Sequence, residues 1–150
     1  MNTSVQQARM LLGVWGHCPQ RIAKLKKELA WIERTWTDRD IDAETGRLLR
    51  SRTEAEIAEA LRLCKAMDEL VRRLPPLERE VVHLHCREGM RYIPMSFRLN
   101  YSVDYLRHVK QRANRMIADM LRENGISEEA GLLTGQASGM YNICKVCDGG

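Results

Sequence analysis

Arg98-Leu-Asn-Tyr-Ser-Val-Asp-Tyr-Leu-Arg-His-Val-Lys-Gln-Arg-Ala-Asn-Arg115 is the stretch on which the reading of this chain turns. Asn100 tolerates a left-handed backbone better than most residues other than glycine. Ser102 is a strong N-cap, because its hydroxyl can accept a bond from an unpaired amide in the first helical turn. Asp104 then suits the positive end of the helix dipole. Leu106, Val109, Ala113 and Met116 recur at helical spacing and form an inward stripe. Against Asp104 alone stand Arg107, Lys110, Arg112 and Arg115. A short helix, a tight turn and a basic second helix together make the geometry that reads a DNA major groove.

Working outward, the punctuation agrees. Pro75-Pro76 ends whatever helix precedes it, because the residue before a proline is pushed out of the helical region. Pro76 itself fits the first turn of a new helix. Leu77, Val81 and Leu84 continue that helix, and Gly89 is placed to stop it. Pro94 suits the first turn of a further short helix ending near Leu99.

Upstream, Ile22, Leu25, Leu29, Ile32 and Trp36 follow a 3-4-3-4 spacing on one stripe. Thr37-Asp38-Arg39-Asp40 breaks the pattern, and Gly46 adds freedom. Thr53 and Glu56 make a capping-box pair. Behind them Ile57, Ala60, Leu61, Cys64, Met67, Val71 and Leu74 form a second stripe. Such stripes pair as a hairpin within one chain, or associate between two chains as a coiled-coil dimerisation arm. Residues 1–16 carry Val5, Leu12 and Trp15 at helical spacing, but Gly13, Gly16 and Pro19 weaken a helix there.

The expected fold is therefore all-α. It comprises a helical hairpin or coiled-coil arm over residues 1–74, a helix–turn–helix domain over 75–123 and a flexible tail over 124–150. The tail is expected because large apolar residues thin out and glycines accumulate. Of the 150 residues 29% are charged and only 5% aromatic, with a net charge of +4, which permits a polyanionic partner without requiring one. No run of about 18 apolar residues suggests a membrane span, and no charged-then-apolar leader suggests secretion. An odd count of 5 cysteines without a compact framework fits a reducing cytoplasm.

The stretch Leu74–Leu121 resembles region 4 of the sigma-70 family factors. The family's Leu-Pro opening is matched by Leu74-Pro75-Pro76, and the close of its first helix by Leu84-His85-Cys86-Arg87-Glu88-Gly89. Ser102 stands at the family's recognition-helix serine, and Arg112-Ala113 matches its later Arg-Ala pair. With the preceding arms, the chain is similar to phage late-gene transcription regulators of the RinA and ArpU type. It departs from the family at Pro94-Met95-Ser96, at Asn100 in place of glycine, and at Phe97 in place of a polar residue. The resemblance implies a phage- or prophage-encoded regulator that binds promoter double-stranded DNA as a homodimer, with RNA polymerase a further partner.

Asp104, Tyr105, Arg107, His108 and Gln111 lie where base edges are read. Arginine can donate twice to guanine, glutamine can pair with adenine, and aspartate can accept from cytosine. Ser102, Lys110, Arg112 and Arg115 are expected to hold phosphates. The alternatives are a polymerase-binding antitermination protein, and a helical adaptor whose charged face is simply solvated.

Nothing points to an enzyme, since no nucleophile–base pair, phosphate-cradling loop or paired carboxylates stand out. His83 and His85 point to opposite sides of a helix, which leaves only His83 and Cys86 on a common face; Cys86 reads better as core. No cofactor is expected. Cys144 and Cys147 form half of a zinc-ribbon pattern, and a closed zinc site would need a second such pair, for example from another copy of the chain.

Overall fold

A computed structural model of the chain describes residues 3–37 and 42–123, and every regular element among them is helical. The elements are α1 (Thr3–Thr37), α2 (Ala43–Arg72), α3 (Pro76–Val82), α4 (Tyr92–Leu99) and α5 (Val103–Glu123). The tail over 124–150, with Cys144 and Cys147, lies outside the described residues. Two compact units emerge, Cys18–Lys65 and a second formed by Met1–His17 with Ala66–Gly150. The division thus falls within α1 and α2, whereas the proline pair had suggested a boundary at residue 74.

The second unit depends on the segment that looked weakest. α1 runs unbroken through Gly13, Gly16 and Pro19. Proline has no N–H, so the Trp15 carbonyl one turn back loses its helical donor. The Arg87 Nε–H supplies one instead, at 3.1 Å. Gly16 has an equally specific reason: a Cβ there would stand 2.0 Å from the Cys86 carbonyl oxygen, so only glycine admits this approach. Trp15 is buried and donates its indole Nε1–H to Asp68 at 2.6 Å. Above its ring lies the Arg87 guanidinium at 4.0 Å, while the His83 ring meets its edge at 5.2 Å.

Ala8, Leu11, Leu12 and Val14 are buried along with Trp15, as are Met67, Leu70 and Val71 at the end of α2 and Leu74 just after it. Each large aliphatic side chain removed from water in this way contributes about 1.5–3 kcal/mol. Val81, Leu84, Met95, Leu106 and Val109 make a further cluster, with Leu77, Met90, Tyr92 and Leu99 packed against it.

Within Cys18–Lys65, α1 and α2 run antiparallel, as Arg21–Glu56 at 3.3 Å and Arg50–Glu33 at 3.6 Å require. Leu25, Ile32, Ala60 and Leu63 are buried here. Two expectations change. Thr53 and Glu56 form no capping box, because α2 has already begun at Ala43 and Thr53 is buried in mid-helix. The cap is Asp42, whose carboxylate accepts the Thr45 amide at 2.9 Å and the Thr45 hydroxyl at 2.8 Å. The apolar stripe is also turned: Leu61 is exposed and Leu63 takes the interior. Gly46 is no hinge, since a Cβ on it would meet the Trp36 ring at 2.9 Å.

From Pro75 onward the punctuation behaves as expected. Pro75 caps α3 with Pro76 in its first turn. Past α3 the helix widens over His83–Arg87, and the Glu88 amide reaches the His83 carbonyl at 3.1 Å. Gly89, at φ +66°, then ends it. Asn100 closes α4 at φ 60° and ψ 38°, in the left-handed region. The Ser102 hydroxyl caps α5 by accepting the Tyr105 amide at 3.1 Å.

Candidate nucleic-acid interface

The site is built on α4, the turn at Asn100–Ser102, and α5. Ser96 steadies the turn by donating its hydroxyl to the Tyr101 carbonyl at 2.5 Å. Leu106, Val109, Ala113 and Ile117 on α5 are fully buried, and the helix packs against both α3 and α4. With four inward positions fixed at helical spacing, the rotation of α5 is determined, and so is the set of side chains it presents to solvent.

Asp104, Tyr105, Arg107, His108, Gln111 and Arg115 are exposed on that outer side. They are not loose. The Arg107 guanidinium lies 3.7 Å from Asp104 and 5.5 Å from the centre of the Tyr92 ring. His108 bonds through Nδ1 to the Asp104 carbonyl at 2.8 Å, which puts the ring proton on that nitrogen. Tyr105 stacks at a tilt on Tyr101, with ring centres 5.1 Å apart.

Two of the residues expected to hold phosphates are placed otherwise. Lys110 is only 5% exposed, and its Nζ donates to Asn114 Oδ1 at 2.9 Å. It follows Val109 and stands one turn after Leu106, so it falls on the margin of the buried stripe rather than on the outer face. Arg112 is half-buried and turned to Glu78 on α3, with Nη2 at 2.8 Å and Nε at 2.9 Å from Oε1. Tyr105 first, and then the Glu78 carboxylate, raise the Arg112 pKa above its ordinary value by favouring the charged guanidinium. Arg112 therefore ties α5 to α3. Ser102 spends its acceptor on the cap, and Arg115 is left on the exposed side.

A cleft opens beside α5 that the sequence did not announce. It is lined by Arg107, Lys110, Gln111 and Asn114 from α5, by His85 and Tyr92, and by Arg9 from α1, and has a volume of about 230 Å³. His85 and Tyr92 stack at 4.8 Å, and His85 Nδ1 donates to the Met90 carbonyl at 3.1 Å. Only the spacing of Lys110 and Asn114 from the buried Leu106 hinted at these inward polar groups; Arg9 left no signal, because its approach depends on the packing of residues 3–17.

The far side of α4 is apolar, with Phe97 83% and Ile93 65% exposed. Among the described residues no group of three or more His, Cys, Asp or Glu is arranged to hold a metal ion, and no helix is long and apolar enough to cross a membrane. Comparison with protein-family models, with curated proteins and with solved structures finds no match to this chain.

Proposed function

We propose that this chain is a sequence-specific regulator of transcription, of the phage or prophage kind, that reads double-stranded DNA with α5. The observation that carries the reading is the division of α5. Its inner side is locked into the core, and its outer side offers Asp104, Tyr105, Arg107, His108 and Gln111 along one exposed run behind a capped turn. Arg107 is the principal base reader, because arginine matches guanine bidentately. Arg115, further along, holds backbone phosphate and sets register. The regulator acts as a homodimer, and the exposed Trp31, Leu48 and Leu61 within Cys18–Lys65 supply apolar surface for pairing.

Duplex titrations at several salt concentrations test this. Binding should weaken steeply with salt, with a slope of about −0.9 per phosphate neutralised. Arg107→Ala should cost about 1–3 kcal/mol on the preferred site and relax the preference there. Equal loss on every sequence would remove Arg107 as a base reader, and absence of binding at low salt would remove the DNA reading itself. For the dimer, sedimentation of the full chain should give twice the monomer mass, and Trp31→Glu with Leu61→Glu should halve it.

Phe97 and Ile93 favour a second reading, an antitermination protein that docks on RNA polymerase through α4. Phe97→Ser should then abolish retention by purified polymerase while leaving duplex affinity unchanged.

A further inference from the structure

On the outer side of α5, Asp104, Gln111 and Arg115 run along one line, and all three are exposed. At about 100° per residue, Arg107 falls to one side of that line and His108 to the other, both exposed as well. The helix backbone decides what His108 can offer. Its Nδ1 stands 2.8 Å from the Asp104 carbonyl, one turn back. A carbonyl oxygen can only accept, so the hydrogen lies on Nδ1. A neutral imidazole has a single ring hydrogen, and Nε2, on the side of the ring turned from the backbone, therefore keeps a bare lone pair. No group among the described residues bonds to Nε2. In this form the ring presents an acceptor to its surroundings, and it has nothing to donate to a phosphate.

We infer, on the basis of the DNA reading of α5, that His108 recognises an exocyclic amine in the major groove, adenine N6 or cytosine N4, close to the guanine taken by Arg107. Every base pair shows one amine and one oxo group on its major-groove edge: adenine N6 against thymine O4, or cytosine N4 against guanine O6. A single acceptor cannot tell adenine from cytosine. It does separate both from guanine and thymine, whose oxygens would meet Nε2 lone pair to lone pair. The operator therefore carries a degenerate position, adenine or cytosine on one strand. Arg107 behaves differently, because its guanidinium forks onto guanine O6 and N7 and so specifies one base. The two side chains diverge by about 100° around the helix and fall on different bases. Asp104 holds both readers: its carbonyl turns the His108 ring, and its carboxylate lies 3.7 Å from the Arg107 guanidinium.

The test uses the full chain and a library of duplexes with a random core, bound at low salt in mildly alkaline buffer, which keeps imidazoles neutral. Sequences bound by the parent chain should show an invariant guanine and, close by, a position held by adenine or cytosine and depleted of guanine and thymine. His108→Ala should make that position random while the guanine is still selected. His108→Lys puts a donor in place of the acceptor and should turn the preference to guanine or thymine. A further measurement leaves the protein unaltered and so does not depend on either variant folding. On a selected duplex with adenine at the degenerate position, replacing it by purine, which lacks the amine, should weaken binding by roughly threefold to tenfold, the loss of one hydrogen bond.

An adenine-or-cytosine preference that survives in His108→Ala, or a parent site with no such position, overturns the role of His108 and leaves DNA binding standing. A loss of affinity in His108→Ala that is equal on every sequence assigns the ring to a phosphate and overturns the role as well. Full binding to the purine-containing duplex has the same consequence. Recovery of no duplex at low salt removes the DNA reading itself, and the role of His108 with it.

Discussion

The hairpin Cys18–Lys65 and the unit formed by Met1–His17 with Ala66–Gly150 are both helical over their described residues, but they are specified in different ways. The hairpin follows a regular repeat, and its named pairs, Arg21–Glu56, Arg50–Glu33 and Arg50–Glu54, lie among half-exposed side chains. Such pairs contribute about 0–1 kcal/mol each. The other unit follows no simple repeat. It is held by individual contacts that admit little substitution: the approach of Gly16 to Cys86, Arg87 on the Trp15 carbonyl, and Arg112 on a buried Glu78. Regular patterning thus marks the part of the chain that tolerates change, and broken patterning marks the part that does not.

The largest expected effect tests that contrast directly. Gly16→Ala puts a methyl group 2.0 Å from a backbone oxygen that cannot swing aside, so it should cost about 3 kcal/mol or more in denaturant unfolding. Gly46→Ala meets a tryptophan ring at 2.9 Å, a side chain that can turn at half-buried Trp36. The gain of about 1 kcal/mol in helix propensity offsets much of the strain, so the net change should stay within about 1 kcal/mol. Equal costs at the two glycines would erase the distinction.

Next in size is Arg112→Met, which leaves the Glu78 carboxylate buried and without its guanidinium. Breaking a buried pair from one side costs about 3–5 kcal/mol, and the partial exposure of Arg112 brings the expectation to about 2–3 kcal/mol, read from the urea midpoint. If stability is unchanged, Arg112 is available to DNA after all.

A smaller effect, about 1–2 kcal/mol, is expected for Arg87→Met, which strips the donor from the Trp15 carbonyl. Pro19→Ala should recover part of that loss by restoring the helical N–H, and a double-mutant cycle should report the coupling. Strict additivity would mean that Arg87 acts only through Asp68 and the Trp15 ring.

The smallest effect lies in the hairpin. The Thr45 amide and hydroxyl hold the Asp42 carboxyl below its ordinary value, so its contribution is present above the unfolded-state pKa and is lost as pH falls through the lower, folded one. Asp42→Asn should lower the neutral plateau slightly toward the acid-end stability and so flatten the acid limb; an unchanged acid limb would show that the cap does not report on folding.

These contrasts also explain what was legible. The helices from α3 to α5 could be read because Pro75, Pro76, Gly89, Asn100 and Ser102 act locally, through dihedral preference and capping, and local rules need no partner. Residues 3–17 could not, because the reasons for Gly16 and Pro19 lie at Cys86 and Arg87. Thr53 and Glu56 misled for the converse reason: a valid capping pattern means nothing once a helix is already under way from Asp42. At the site, charge alone suggested that Lys110 and Arg112 face outward, but helical spacing sets Lys110 beside the core and Glu78 draws in Arg112 from another helix. Arg107, His108 and Gln111 were legible as exposed because they fall away from the buried stripe of Leu106, Val109 and Ala113.

The Arg87 Nε–Trp15 carbonyl bond, which spans 72 residues, also has a temporal consequence. During synthesis the first helix leaves the ribosome long before its packing partners exist. At elongation rates of about 5–20 residues per second, Trp15 waits roughly 4–14 s for Arg87 to be made. Through that interval the hairpin, whose contacts are closer along the chain, can close first, and the opening segment stays exposed to other nascent chains or to a chaperone. Transplanting the helix–turn–helix into another protein should accordingly fail unless residues 3–17 travel with it.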